Sequence, residues 1–259
     1  QKIKFGLPAL ELILNESENI NENLKTPIDA INDNFEFNKD IELSDASFSY
    51  SNDQKLILDK INLKIKKNTC IGIVGDNASG KSTLINLICG LSNPQGGKIL
   101  VDNKNIFNNL SGWQKLIGFI PQSIYLIDDN VKNNIALGIE EKNIDEEKIK
   151  KLMITTSLSE TLSPDDLVGE SGKNISGGQK QKIGIARALY HDPAILIYDE
   201  PTSAMDTESE ENLTETIFNQ GKIKTLIIIS HKLKVLKYCD FIYKLNNKNI
   251  SLINLKDIN

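Results

Sequence analysis

The sequence predicts an α/β fold with an antiparallel β subdomain near its start and an α-helical subdomain inserted into the α/β core. Three observations support this prediction. Short apolar runs at 70–74, 117–120, 194–198 and 225–230 are typical of buried parallel strands. Helical patterns lie between these runs, as in other α/β folds. The stretch between the second and third runs is mostly helical and is long enough to form a subdomain.

The individual elements follow from local patterns along the chain. Apolar and polar residues alternate at 41–48 and 61–65, which predicts two strands at the start of an antiparallel sheet. A glycine-rich turn follows the strand at 70–74, and a helical pattern then covers 81–91. The inserted region and the closing hairpin complete the prediction. The helical segments there are 131–137, 145–155 and 176–190, and the hairpin strands are 241–245 and 250–253.

Composition restricts the class of protein. The 259 residues are 39% hydrophobic and 25% charged, which is ordinary for a globular protein. No apolar run reaches the roughly 18 residues of a membrane-spanning helix, so we expect the chain itself to be soluble. The net charge of −5 argues against nucleic acid as a partner, because nucleic-acid binding favours a basic surface. Cys70, Cys89 and Cys239 are odd in number and lie beside apolar residues, which indicates free thiols in a reducing compartment.

The strongest local signal is the glycine-rich loop between the strand at 70–74 and the helix at 81–91. It fits the pattern G-x4-G-K-[ST] with the residues Gly75, Asp76, Asn77, Ala78, Ser79, Gly80, Lys81 and Ser82. Glycines let the backbone wrap a phosphate, while N–H groups of the loop and of the helix start point at the anion. Lys81 is predicted to reach the β- and γ-phosphates, and the Ser82 hydroxyl is predicted to ligate Mg²⁺.

Two further motifs carry candidate chemistry. Asp199 and Glu200 follow an apolar run, so they are predicted to lie where a buried strand ends. Asp199 would hold Mg²⁺ and Glu200 would orient the attacking water, although acids in a solvated turn are the alternative for this pair taken alone. Ser176 is a predicted N-cap, and the helix start that follows it would attract an anion. That motif consists of Ser176, Gly177, Gly178 and Gln179.

In this order and spacing, the motifs resemble those of the nucleotide-binding domain of ABC transporters, from about residue 41 to residue 253. The resemblance implies a P-loop NTPase (RecA-like) core with ATP and Mg²⁺ as its ligands. It implies that Tyr50 stacks on adenine and that Thr83 closes the Walker A loop. The Q-loop residue is Gln122, which the resemblance makes a metal ligand and a catalytic residue, and the Walker B residue is Asp199. The catalytic residues are Glu200 and Lys81, and the switch histidine is His231. The signature at 176–179 is led by Ile175 where Leu is more common, and the D-loop at 203–206 has Met205 where Leu is usual.

The family arrangement implies a partner. Two such domains would face each other head to tail with two ATP molecules between them. Each ATP would lie on the Walker A loop of one copy, while Ser176 and Gly178 of the other copy would cap its γ-phosphate. The start of the signature helix is a second phosphate-binding site, although the Walker A loop of the same chain already holds the phosphates of its own ATP. This favours a second copy as the partner.

The segment 167–172 resembles the exporter-type element V-G-E-x-G, and Glu170 is the candidate contact with a membrane domain; a solvated acid is the alternative. Gln1 stands where a Met would begin a chain, so we expect a fragment of a longer polypeptide. The resemblance implies that 1–38 is a helix and linker after an upstream transmembrane domain. Residues 39–259 would then be the nucleotide-binding domain at the cytoplasmic face of the inner membrane, with its helical subdomain at about 123–180.

Other interpretations stay open at this point. The segment 7–10 resembles that of lipid-linked oligosaccharide flippases, which suggests lipid or lipid-linked glycan as substrate. An importer ATPase that docks onto separate membrane subunits is the first alternative, and it predicts a chain without the V-G-E-x-G element. A soluble ABC ATPase acting on DNA or ribosomes is the second. It requires either a long coiled coil between Lys81 and Ser176 or a tandem domain.

Overall fold

The computed structural model of this chain describes residues 35–50, 55–200, 214, 218 and 224–258. Residues 1–34, most of the predicted helix and linker at 1–38, lie outside the described residues, and so does the D-loop at 203–206. Phe35 and Phe37 are buried in the main core cluster, so packing extends four residues upstream of the predicted domain start at residue 39.

Ten strands and six α-helices are found among the described residues. The strands in chain order are β1 (Asp40–Phe48), β2 (Leu58–Lys66), β3 (Cys70–Val74), β4 (Gly96–Val101), β5 (Lys104–Asn105), β6 (Ile117–Ile120), β7 (Ile195–Asp199), β8 (Thr225–Ile229), β9 (Phe241–Asn246) and β10 (Asn249–Ile253). The helices are α1 (Lys81–Ile88), α2 (Leu110–Lys115), α3 (Val131–Ile135), α4 (Glu146–Thr155), α5 (Gly177–Tyr190) and α6 (Leu233–Leu236).

The first sheet is antiparallel and has the strand order β2-β1-β4-β5. Its strands alternate buried and exposed residues, so one face packs on the core; Ile61, Leu63 and Ile65 of β2 are all on that face. The antiparallel start predicted from the sequence is therefore confirmed. β4 and β5 were not predicted, because Gly96 and Gly97 weaken the strand pattern and the partner strand β1 is distant in sequence.

The second sheet has the order β10-β9-β3-β8-β7-β6, in which every neighbouring pair except β9 and β10 is parallel. All five residues of β3 and of β8 are buried, as expected for central parallel strands covered on both faces. The predicted closing hairpin is confirmed in β9 and β10. This sheet brings the carboxyl ends of β3, β8, β7 and β6 to one edge.

The inserted helical region is confirmed in α3, α4 and α5, and each begins at a side-chain cap. Asn130, Asp145 and Ser176 accept a backbone N–H from the first turn of α3, α4 and α5, respectively. The α1 helix is shorter than predicted. It ends at Ile88, since Gly90 has a left-handed φ of 68° that terminates the helix.

Core packing accounts for the single tryptophan of the chain. Trp113 is fully buried, and its indole Nε1 donates to the Ile88 carbonyl oxygen at 2.8 Å. The three cysteines are free thiols, and burial raises the pKa of Cys89 to about 12. Among the described residues, none of the helices combines the length and the apolar character needed to span a bilayer.

Candidate nucleotide-binding site

Four neighbouring parallel strands deliver the predicted site residues to one edge of the core sheet. The strand β3 leads into the loop at 75–80, and β8 leads to His231. Asp199 ends β7, with Glu200 directly after it, and Gln122 follows β6 by two residues. Because parallel strands present their carboxyl ends together, residues far apart in sequence meet here.

The glycine-rich loop is closed by its own lysine. Lys81 Nζ donates to the carbonyl oxygen of Gly75 at 2.6 Å and to that of Asp76 at 2.9 Å. Gly80 precedes α1 with a left-handed φ of 105°, a conformation that glycine adopts without strain. No side chain caps the start of α1, and its first turn holds no acid, so its N–H groups are suited to an anion.

Ser79 supplies a direct test of whether this loop fits a phosphate. Its Oγ is buried and, among the described residues, has no hydrogen-bond partner. An unpaired buried hydroxyl costs free energy, and a phosphate oxygen in the loop would accept from it. The orphaned hydroxyl, the uncapped helix start and Lys81 therefore fit a bound polyphosphate.

Glu200 is the centre of the polar cluster. Gln122 Nε2 donates to Glu200 Oε2 at 2.7 Å, and His231 Nε2 lies 3.6 Å from Glu200 Oε1. The backbone of Glu200 has a left-handed φ of 47°, which is uncommon outside glycine and concentrates at functional sites. The Glu200 N–H donates to the Ile229 carbonyl oxygen at 3.0 Å, and this bond fixes the residue at the end of β8.

Asp199 lies beside this cluster in a cavity of about 400 Å³. Burial and the neighbouring Glu200 raise the pKa of the Asp199 carboxyl, and the Lys81 ammonium partly opposes that shift. Ser82, Gln122 and Asp199 line this cavity, and their side chains carry hydroxyl, amide and carboxylate oxygens, the ligand types that Mg²⁺ prefers. The cavity is lined by Ile57, Asn77, Ala78, Gly80, Lys81, Ser82, Thr83, Gln122, Asp199 and Glu200.

Tyr50 lies in an adjoining cavity of about 620 Å³ that also borders Asp76 and Ser79. Its side chain is 62% exposed, and its hydroxyl lies 3.2 Å from Thr83 Oγ1. The exposed ring therefore lies next to the phosphate loop, and stacking on adenine stays a prediction for Tyr50. The turn between β9 and β10 lines the same cavity through Asn246, Asn247 and Lys248, and nothing in the local sequence indicated that proximity.

Ser176 and Gln179 form a reciprocal capping box at the start of α5. Ser176 Oγ accepts from the Gln179 N–H at 3.2 Å, and Gln179 Oε1 accepts from the Ser176 N–H at 2.8 Å. The predicted N-cap is therefore confirmed. Within the part of the chain that the structure describes, residues 176–179 do not line either cavity at the phosphate loop. Ser176 and Gly177 are exposed instead.

Glu170 is exposed, in a short 3₁₀ turn before α5. Lys180 of α5 donates to the Ser171 carbonyl oxygen at 2.9 Å and ties this turn to the helix. His191 is the exposed residue that ends α5.

Known proteins share this fold and these motifs. The ABC transporter family model matches residues 58–203. An ATP-dependent lipid A-core flippase of Idiomarina loihiensis is 37% identical over 219 residues, which is 82% of this chain and 37% of the flippase. A multidrug export ATP-binding/permease protein of Staphylococcus aureus is 38% identical over 215 residues, which is 81% of this chain and 37% of that protein.

A solved structure of a bacterial Atm1-family ABC exporter with ATP bound matches with a TM-score of 0.78 and 28% identity, over 84% of this chain and 39% of that chain. The chain thus spans well under half the length of the relatives that it matches. The predicted P-loop NTPase fold is confirmed, and the family model covers more than half of the residues. The chain therefore belongs to the ABC transporter family and carries its nucleotide-binding ATPase domain.

Proposed function

We propose that this chain hydrolyses ATP as one half of a two-domain sandwich and that it drives an exporter. The observation that carries the proposal is the cluster at Glu200. A carboxylate in a strained backbone conformation is held by Gln122 and approached by His231, and it lies on the same cavity as Lys81.

Each side chain has a chemical role in this proposal. Lys81 and the N–H groups at the start of α1 neutralise the phosphates, and Ser79 donates its free hydroxyl to them. Glu200 accepts a proton of the attacking water as the water oxygen bonds to the γ-phosphorus. The bond between the γ-phosphorus and the oxygen that bridges it to the β-phosphate breaks, and that oxygen leaves with ADP. His231, on the other side of Glu200, contacts the γ-phosphate. Tyr50 stacks on the adenine from the adjoining cavity.

Ser82, Gln122 and Asp199 would hold Mg²⁺ in this site. When bound, the ion would supply positive charge that offsets the charge developing on the phosphate oxygens. Gln122 is suited to two contacts at once, because its amide nitrogen donates to Glu200 and its amide oxygen stays available for a cation.

The exposed start of α5 supports a second copy as partner. Ser176 and Gly177 lie outside the cavities of their own phosphate loop and face solvent with the positive end of a helix. An anion held on another copy, the γ-phosphate of its ATP, would complete this surface. Hydrolysis would then separate the bridging charge and open the pair.

The exporter assignment rests on the named relatives, a lipid A-core flippase and a multidrug export protein, and on Glu170 in its V-G-E-x-G element. We place the domain at the cytoplasmic face of a membrane, with the transmembrane domain upstream in the same polypeptide and with residues 1–38 as the connection. The flippase relative favours a lipid or lipid-linked molecule as the transported substrate.

Dimerisation on ATP provides the test. In a Glu200→Gln background with Mg²⁺ and ATP, sedimentation should show two copies associated. Adding Ser176→Asp keeps an N-cap residue but places a negative charge beside the partner's phosphate, so it should leave ATP bound to single copies. Ser159→Asp, at an exposed serine of the same subdomain, is the matched control and should associate normally. Association of the Ser176→Asp chain at the parent's ATP concentration would refute the sandwich.

A further inference from the structure

Three successive turns of α5 attach the helix to the Gln122 loop. Gln181 Nε2 donates to the main-chain oxygen of Gln122 at 3.0 Å. One turn later, an added Cβ on Gly184 would lie 2.4 Å from Ile124 Cδ1, so the helix backbone itself contacts the loop. One turn after that, Arg187 donates to the main-chain oxygen of Tyr125 at 2.9 Å.

The contact of Gln181 is the one nearest to the reacting groups. Gln122 follows β6 in irregular backbone, and its side chain is exposed, so little else holds it in place. The Gln181 amide fixes the Gln122 main chain, and from that position the Gln122 side chain reaches Glu200 at 2.7 Å. Two hydrogen bonds thus connect α5 to the carboxylate.

The chemistry of Gln181 indicates a role beyond packing. Its side chain is 3% exposed, and its Oε1 is buried without a hydrogen-bond partner among the described residues. An unpaired buried oxygen lowers stability, and a methionine would fill the same space without that cost. What the amide provides is its N–H donor to Gln122.

We propose that Gln181 is a positioning residue that couples the phosphate-capping end of α5 to the catalytic carboxylate of its own copy. The proposal rests on the proposed function. Ser176 begins the helix that carries Gln181, so a movement of α5 when Ser176 meets the partner's ATP would move the Gln122 loop with it. Contact at one ATP would thereby orient Gln122 and Glu200 at the other.

Gln181→Met tests the proposal on the full chain. We expect kcat to fall about five-fold, the equivalent of one ordinary hydrogen bond, with KM for ATP unchanged. The free energy of unfolding should change little, because loss of the hydrogen bond to the Gln122 main-chain oxygen is offset by removal of the unpaired Oε1. Gln114→Met is the matched control. Gln114 Nε2 also donates to a main-chain oxygen, that of Cys89, over a distance of 3.2 Å, and this hydrogen bond lies away from the site. The Gln114→Met chain should hydrolyse ATP at the parent rate.

A double variant separates positioning from a general loss of structure. In a Gln122→Ala background, Gln181→Met should have no further effect on kcat, because the side chain that it positions is gone. A persistent five-fold loss there, or a Gln181→Met chain with the parent kcat, would overturn the proposal. Gln181→Leu introduces a side chain of similar volume and serves as a second variant if Gln181→Met fails to fold. The same kcat values are expected for it in both backgrounds. A parent chain that turns over no ATP would instead refute the proposed function itself.

Discussion

Gln122 and Glu200, 78 residues apart in sequence, are joined by a hydrogen bond of 2.7 Å from Nε2 to Oε2. The bond leaves Glu200 Oε1 on the other side, toward His231. The Gln122 amide therefore fixes one oxygen of the carboxylate, and in the proposed mechanism the other oxygen would accept the proton of the attacking water.

Glu200→Gln separates the hydrogen bond to Gln122 from the ability of the side chain to accept a proton. The glutamine can turn its amide oxygen toward Gln122 and keep the hydrogen bond, but it has no basic oxygen to accept a proton. We expect ATP turnover to fall by about 100-fold or more, while ATP affinity and thermal stability stay at parent values. Turnover is measured by phosphate release and affinity by calorimetry. A variant with near-parent turnover would show that Glu200 is not the base.

The unpaired hydroxyl of Ser79 leads us to expect that its removal raises stability and weakens ATP binding. Because its buried hydroxyl lacks a partner in the described structure, Ser79→Ala should raise the free energy of unfolding without nucleotide by about 0.5–1 kcal/mol. The same change should weaken ATP binding, since a donor to the phosphates is lost. Urea denaturation with and without ATP measures both effects. If Ser79→Ala were less stable in both conditions, the hydroxyl would have an internal role instead.

Local patterns in the sequence were sufficient for the elements that lie around the phosphate loop. The apolar run of β3, the glycine loop and the cap at Ser176 each depend on neighbouring residues, so the sequence displays them directly. The residues of the loop and the acids after β7 were therefore identified from local patterns, whereas His231 was named only through the resemblance to the family. The roles of all of them stay proposals.

The long-range contacts were beyond sequence reasoning. β4 pairs with β1 across the intervening β2 and β3, and its glycines hide the strand pattern. Gln181 reads as one more polar residue of an amphipathic helix, and its burial against Gln122 depends on how α5 packs on the loop. Lys248 and Tyr50 line the same cavity, and this proximity depends in the same way on the order of strands in the sheets.

Asp102 predicts a pH dependence of stability. Burial alone would raise the pKa of its carboxyl, but the N–H groups of Asn38, Lys39 and Asp40 donate to it, and its pKa lies below the ordinary value. A carboxyl with a lowered folded-state pKa stabilises the fold above its unfolded-state pKa, and this contribution disappears as pH falls through the folded-state pKa.

Asp102→Asn should therefore lower the free energy of unfolding by about 1 kcal/mol at pH 7, a value kept small because the group is partly exposed. Asparagine also tolerates the left-handed φ of 50° at this position, so the backbone is preserved. Urea denaturation should show the difference vanish in acid below the ordinary range of an aspartate. Asp165→Asn, at an 81% exposed carboxylate, should change stability by less than about 0.5 kcal/mol at either pH. A pH-independent loss in Asp102→Asn would contradict the assignment.

Gly118 of β6 is a position where the core sheet leaves little room for a side chain. An added Cβ would lie 2.8 Å from the Ala188 carbonyl oxygen and 2.9 Å from Leu196 Cδ2, so the end of α5 packs directly on the strand. Gly118→Ala should lower the free energy of unfolding by about 1–3 kcal/mol through overpacking.

Gly96 of β4 is the matched control, because the nearest atom to an added Cβ there is Ser47 Cβ at 3.8 Å, an ordinary contact. Gly96→Ala should leave stability unchanged or raise it by about 0.4–1 kcal/mol, since alanine reduces the freedom of the unfolded chain. Urea denaturation of the two variants beside the parent chain measures the contrast. Equal effects at the two glycines would mean that α5 does not rest on β6 as closely as the 2.8 Å contact with the Ala188 carbonyl oxygen requires.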